Sequence, residues 1–314
     1  MNKLNSKASK AFSLIELSIV ILIIGIIVAG ITQSSRLVTQ SKLKSAQNLT
    51  SSSPVAGIKS VALWLEPTLD ASFPSSLDDE AFITQWNDTN PQTPSKLYAI
   101  PASASSSANI AYDSNGINGL PSIKFAGTAS TAGVLSVSTT PTTITETPVI
   151  TVDDPKNANA FTAFIVYNLD STVTTPPIYT LLYNGVSGST GWGYYRSTAA
   201  TRTVAIAPTT TQTTTTTLAT ARAEIATITF SGNTSKNTKL YINGGNGFIT
   251  SSIGDPAAAI VTPATRMTIG GLTTSTSPWK GLISEIIIFD GVLKNQDLKD
   301  VASYLSKKYG ISLQ

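Results

Sequence analysis

Hydrophobic and polar positions along the chain follow three successive patterns. Residues 12–31, FSLIELSIVILIIGIIVAGI, are apolar or small at every position except Glu16. Twenty residues of helix at about 1.5 Å rise cover roughly 30 Å, the thickness of a bilayer's hydrocarbon core. A lone spanning segment has to pair its backbone groups within itself, so helix is the expected form. From Thr32 to Leu49 the apolar residues Leu37, Val38, Leu43, Ala46 and Leu49 recur at roughly helical spacing, between Arg36, Lys42 and Lys44. The two patterns together predict one helix over 12–50, its first half transmembrane and its second amphipathic. Thr50-Ser51-Ser52-Ser53-Pro54 ends it, because proline restrains the residue before it and serine competes for backbone bonds.

The third pattern, over residues 55–314, is one of short apolar or alternating runs separated by turn signals. Val61–Leu65, Phe161–Tyr167, Ile178–Tyr183, Trp192–Arg196, Thr203–Ala207, Ala223–Phe230, Lys239–Ile242, Arg266–Ile269 and Leu282–Phe289 read as strands. Asn243-Gly244-Gly245, Gly270-Gly271 and Asp290-Gly291 punctuate them. Only the end looks helical. Asn295 is the expected N-cap, Leu298, Val301, Ala302 and Leu305 make one face, Lys307 and Lys308 sit in the last turn, and Gly310 is the C-cap. The fold class is therefore mainly β: a long N-terminal helix, then a jelly-roll β-sandwich with a short C-terminal helix. Two runs of low complexity, Ser103–Ser107 and Thr209–Thr217, are expected on an exposed edge or loop.

Charge sets the direction of the membrane segment. Lys3, Lys7 and Lys10 precede it and no acid does, so the short leader is expected in the cytoplasm and the remainder outside. The whole chain has 21 basic and 18 acidic residues, and without residues 1–11 the basic count falls by three to match the acidic one. A neutral mature chain without a basic run is not expected to bind nucleic acid. The chain has no cysteine and no histidine, which removes disulfides, thiolate or imidazole metal sites, and Ser-His or Cys-His catalytic pairs.

Glu16 is the only charge between Lys10 and Arg36. A carboxylate near the end of a membrane helix costs about 2–4 kcal/mol unless it finds a partner. The stretch Ala11-Phe12-Ser13-Leu14-Ile15-Glu16 resembles the cleavage and methylation motif of type IV prepilins and type II secretion pseudopilins. Ala11 stands where that family usually has glycine, and Ser13 where it commonly has threonine. The resemblance implies a leader of residues 1–11, cleavage between Ala11 and Phe12 by prepilin peptidase, and N-methylation of Phe12. It also implies storage in the inner membrane and assembly with other pilin subunits. Glu16 would then meet the terminal amine of a neighbour, since a buried carboxylate and a buried ammonium are tolerable as a pair.

Residues 60–312 resemble the concanavalin A-like lectin/glucanase superfamily in its laminin-G-like branch. The resemblance rests on Leu63-Trp64-Leu65, Trp86-Asn87-Asp88, the turn Asn118-Gly119-Leu120-Pro121, the strand from Phe161, the hairpin Leu240-Tyr241-Ile242-Asn243-Gly244, the strand Gly281–Phe289, and Tyr304-Leu305 with Lys308-Tyr309-Gly310. It implies two stacked antiparallel sheets of about six or seven strands each. It does not fix a ligand, since one fold hosts many functions.

The paired carboxylates of a glycosidase, Glu-x-Asp-x-x-Glu in that superfamily, are missing; Glu285 and Glu224 lie on separate strands. No enzymatic activity is expected. Trp192 and Tyr194 share one face of a strand by alternation, and with Trp279 they are the candidate glycan-binding residues. Their other reading, core packing, is the commoner place for large rings. Trp64 and Trp86 are assigned to the core. Asp78, Asp79, Asp113, Asn115, Asp153 and Asp154 are loop candidates for a calcium ion, with solvated loop acids the favoured reading. The expected protein is a pilin-like filament subunit, minor or at the tip, whose head makes adhesive or glycan contact at the cell surface. The alternatives are a type II secretion pseudopilin in the periplasm and an unprocessed, membrane-anchored lectin-like protein.

Overall fold

The computed structural model describes residues 13–127, 133–143, 160–172, 179–184, 192–196, 201–206, 210–215, 222–230, 238–244, 267–272 and 277–314. The chain divides into two units, residues 1–44 and 45–314. The division falls inside helix α1, Leu14–Ser51. In the first unit the apolar side chains from Leu14 to Ile31 are exposed. The helix is long and apolar enough to cross a membrane, by length and composition.

In the second unit α1 ends one residue into the serine run and gives way to a 3-10 turn at Pro54–Gly57. The strands follow as β1 (Val61–Leu65), β2 (Trp86–Asn87), β3 (Tyr98–Pro101), β4 (Ile110–Asp113), β5 (Ser122–Ala126), β6 (Leu135–Ser138) and β7 (Phe161–Leu169). They continue as β8 (Tyr179–Asn184), β9 (Trp192–Arg196), β10 (Thr201–Ile206), β11 (Thr210–Thr215), β12 (Ala223–Phe230), β13 (Thr238–Ile242), β14 (Met267–Ile269) and β15 (Lys280–Asp290). A short helix, α2 (Ala104–Ser107), is capped by Ser103, and α3 (Asn295–Tyr309) closes the chain.

The strands form two antiparallel sheets. One has the order β13-β12-β7-β15-β5-β4, with β1 also pairing with β15, and the other has the order β11-β10-β9-β8-β14-β6-β3-β2. Among the described residues these are sheets of seven and eight strands, the two-layer architecture expected. The threonine run supplies β11, the edge strand of the second sheet.

One core fills the space between the sheets, and a second lies between the outer face of the first sheet and α3. Strands β7 and β15 are buried on both faces, which is why their sequences are nearly continuous apolar runs. Phe161, Ile165 and Tyr167 face the sandwich interior, whereas Phe164 and Val166 face Val301, Leu305 and Tyr309 of α3. Ala46 and Leu49 of α1 join this second core.

The last helix begins one residue earlier than expected. Its N-cap is Lys294 in extended conformation (ψ 153°), without a side-chain cap, and Asn295 is already its first helical residue. Gly310 ends the helix at φ 63°, the left-handed conformation that glycine adopts without steric cost.

Candidate functional site: an assembly segment and a buried ionic seam

Ala11 and Phe12, the expected cleavage pair, lie outside the described residues. Glu16 is described. Its Oε2 accepts a hydrogen bond from the backbone N–H of Ser13 at 2.9 Å, while Ser13 Oγ accepts one from the N–H of Ile15 at 3.4 Å. Ser13-Leu14-Ile15-Glu16 is thus a reciprocal capping box that satisfies two donors at the start of α1. The Ser-x-x-Glu spacing carries this signal. The family resemblance by itself gives Glu16 only an assembly role.

A buried ionic seam ties α3 to the first sheet. Lys308 is 2 % exposed. Its ammonium donates to Glu66 Oε2 at 2.9 Å and to Glu285 Oε2 at 2.8 Å. Glu66 also accepts from the N–H groups of Thr68 and Leu69 and from the hydroxyls of Thr68 and Ser72, at 2.5–3.0 Å. Glu285 accepts from Trp64 Nε1 and from the hydroxyls of Tyr304 and Tyr309, at 2.8–2.9 Å. Tyr304 Oη lies 3.2 Å from Thr50 Oγ1 of α1, so the network reaches the end of the long helix.

A β-bulge aims Glu285 at this seam. Ile283 and Ile286 both face the sandwich interior, with the irregularity of β15 between Ile283 and Glu285. Without the extra residue at Ser284, Glu285 would follow Ile283 into the apolar interior. The bulge puts it on the outer face, under α3. Ser284 itself pairs with Ser122, Oγ to Oγ 2.6 Å.

Charge stabilises the seam in both directions. Burial alone would raise the Glu66 carboxyl, but the adjacent Lys308 charge holds it below the usual carboxylate range. Burial alone would depress the Lys308 ammonium, but Glu285 and then Glu66 outweigh it and leave it raised. Burial, followed by the charge of Glu285, pushes the phenols of Tyr304 and Tyr309 well above the usual tyrosine range, so both act as neutral donors. Sequence reasoning places Lys308 in the last turn of the helix and gives neither it nor Glu285 a partner. The available signal was phase: Val301, Leu305 and Lys308 fall on one helical stripe.

The expected aromatic platform is not at the surface. Trp192 is 3 % exposed, and Tyr194 and Trp279 are 0 % exposed. Trp192 stacks on Phe161 with ring centroids 4.3 Å apart. Trp279 meets Tyr167 edge-on at 5.5 Å. Tyr194 Oη lies 2.8 Å from Tyr167 Oη, and Tyr167 donates to Glu224 at 2.6 Å. Trp192 and Tyr194 face inward because their alternation places both on the interior side of β9, and Trp279 joins the same core from just before β15. Gly193 on the opposite face makes room for the ring of Tyr183: a Cβ there would lie 2.4 Å from it. Trp64 and Trp86 are buried as expected.

Two of the described calcium candidates are engaged with neighbouring protein groups. Asp79 Oδ1 accepts from the N–H and the hydroxyl of Ser114 at 2.8 Å, and Asp113 Oδ1 accepts from the N–H of Asn115 at 2.9 Å. Asp153 and Asp154 lie outside the described residues. Among the described residues no group of three or more carboxylates converges to hold a metal.

One groove of about 340 Å³ opens on the outer face of the first sheet, lined by Thr227, Lys239, Tyr241, Asn295, Leu298 and Lys299 among others. It offers two ammoniums, an amide and a half-buried phenol ring.

A search among curated proteins finds no match. Among solved structures, the chain is similar to a mutant of Trypanosoma rangeli sialidase displaying trans-sialidase activity, at 14 % identity and a TM-score of 0.46, over 88 % of this chain and 39 % of that one. It is also similar to domain 4 of AbnA, a GH43 extracellular arabinanase from Geobacillus stearothermophilus (16 % identity, TM-score 0.40, 62 % of this chain and 81 % of that one). A third likeness is to the Ruminococcus gnavus IT-sialidase CBM40 (19 % identity, TM-score 0.37, 47 % and 84 %). The chain spans about two fifths of the length of the sialidase. The prokaryotic N-terminal methylation motif matches residues 6–32, which include Ala11, Phe12 and Glu16.

Proposed function

We propose that this chain is a pilin-like filament subunit. It is made as a membrane-anchored precursor, cut between Ala11 and Phe12 by prepilin peptidase, and assembled through α1 into a pilus or pseudopilus that displays the β-sandwich. The observation that carries this reading is the coincidence of the methylation motif with a helix whose apolar side chains are exposed from Leu14 to Ile31. So large an apolar surface needs lipid or other subunits to cover it.

No catalytic role is proposed for the head. Glu66 and Glu285 share Lys308 as their cation, and Glu224 is held by Arg202, so these buried carboxylates are paired structural groups. Surface contact, with glycans or other polymers, falls to the groove beside α3. There the Tyr241 ring, the Asn295 amide and the two lysines are the group types that recognise a sugar.

Glu16 is the residue to test. In the free chain its carboxylate caps α1 through Ser13, and on assembly it would take the terminal ammonium of a neighbouring Phe12. Glu16→Gln keeps an oxygen for the cap and removes the charge. The variant is expected to be cleaved and held in the membrane but absent from sheared filaments. Incorporation at the wild-type level would contradict an assembly role for the charge.

A further inference from the structure

The sandwich interior contains a second ionic group that the assembly reading does not use. Arg202 of β10 donates from Nε to Glu224 Oε2 at 3.0 Å and from Nη2 to Glu224 Oε1. Glu224 Oε2 also accepts from Tyr167. Both oxygens of this carboxylate are therefore occupied. Directly across the β9–β10 ladder from Arg202 stands Arg196. It shares the inward face of β9 with Trp192 and Tyr194. Arg196 is 0 % exposed, and its Nε, Nη1 and Nη2 are all buried without a hydrogen-bond partner.

Two guanidiniums thus face one carboxylate among the described residues. A guanidinium has only donors and does not lose its proton in a protein. Like charges directly opposite on a ladder repel, and a buried charge without a partner is costly. Tyr167 and Tyr194 do not supply the missing negative charge. Burial and the charge of Glu224 raise both phenols, so they stay neutral.

We infer that Arg196 is the cation of an internal anion site, which takes a small monovalent anion as the sandwich closes. The guanidinium fork matches a carboxylate in bidentate fashion, and chloride offers the same charge in a smaller volume. The site is independent of processing and assembly. It would tie β9 to β10 at the end where Arg196 and Arg202 face each other.

The test is a thermal-unfolding titration of the full-length protein in detergent. Sodium chloride or sodium formate replaces sodium gluconate at constant ionic strength, gluconate being too large for the interior. Wild type is expected to gain about 2–3 °C in unfolding midpoint for each tenfold increase in chloride or formate above the dissociation constant. Arg196→Leu is expected to show no such gain. A flat wild-type response would overturn the inference and assign the counter-charge to a carboxylate of the chain itself. An equal gain in wild type and Arg196→Leu would overturn it too, by placing the anion elsewhere. The wild-type titration stands whether or not the variant folds.

Discussion

Lys308 Nζ lies 2.8 Å from Glu285 Oε2, joining the last turn of α3 to β15, a central strand of the first sheet. The strand carries its glutamate outward only because of the bulge at Ser284, and the helix carries its lysine inward on an apolar stripe. Each is costly alone in a dry interface. Together with Glu66, Trp64, Tyr304 and Tyr309 they form a satisfied network whose far end touches Thr50 of α1. The head is thereby fastened to the last turns of the helix that the assembly reading uses to build the filament.

Removing the lysine leaves two buried carboxylates without their cation. Lys308→Met is expected to destabilise residues 45–314 by about 3–5 kcal/mol, the range for breaking a buried ion pair by deleting one partner. Chemical denaturation followed by tryptophan fluorescence measures it. A loss below about 1 kcal/mol, typical of an exposed pair, would show that the seam is solvated.

The seam also sets the pH range of stability. Glu66 has a folded pKa below its ordinary 4.5, so its contribution is present above that value and lost as pH falls through the folded pKa. Lys308 has a folded pKa above its ordinary 10.5, so its contribution is present below that value and lost as pH rises through the folded pKa. Tyr304 and Tyr309, raised above 10.0, act in the same direction as Lys308. The unfolding midpoint is expected to be flat with respect to these groups between about pH 5 and 10 and to fall on both sides. In Lys308→Met the acid limb should shift to higher pH, because Glu66 loses the charge that lowers it.

Tyr304 connects the seam to α1. Tyr304→Phe deletes a hydroxyl that donates to Glu285 and meets Thr50, at an expected cost of about 1–3 kcal/mol. Thr50→Val removes one weaker contact and is expected to cost less, about 1 kcal/mol. Calorimetry on both variants tests this order, which reverses if the Thr50 contact is the stronger one.

The aromatic residues separate core from contact surface. Trp192→Ala is expected to cost about 3–5 kcal/mol of folding stability, because the ring stacks on Phe161 inside the sandwich. Tyr241→Ala, at the groove, is expected to leave the midpoint within a few degrees and to reduce retention of the protein on immobilised acidic polysaccharide. Loss of retention in a stably folded Trp192→Ala variant, with Tyr241→Ala unaffected, would return the contact to the first set of rings.

The parts of this architecture that are legible in sequence are those encoded locally. Twenty apolar residues in succession announce the first half of α1. The both-faces burial of β7 and β15 shows as continuous apolar runs, and Gly310 marks the end of α3. The seam is encoded non-locally. Glu66 and Lys308 are 242 residues apart, so neither signals the other, and a lysine in a final helical turn looks solvated until its helical phase is checked. The bulge at Ser284 reverses the face of every later residue in β15, a change that simple alternation cannot anticipate. Alternation did predict that Trp192 and Tyr194 share a face. Which face points inward depends on the pairing of β9 with β8 and β10, and that decided for the core.

The most direct test of the filament reading is the intact mass and N-terminal residue of this protein recovered from sheared cell-surface filaments. The account predicts a chain that begins at Phe12 and carries one N-methyl group. A chain that begins at Met1 and occurs only in the membrane fraction would contradict it.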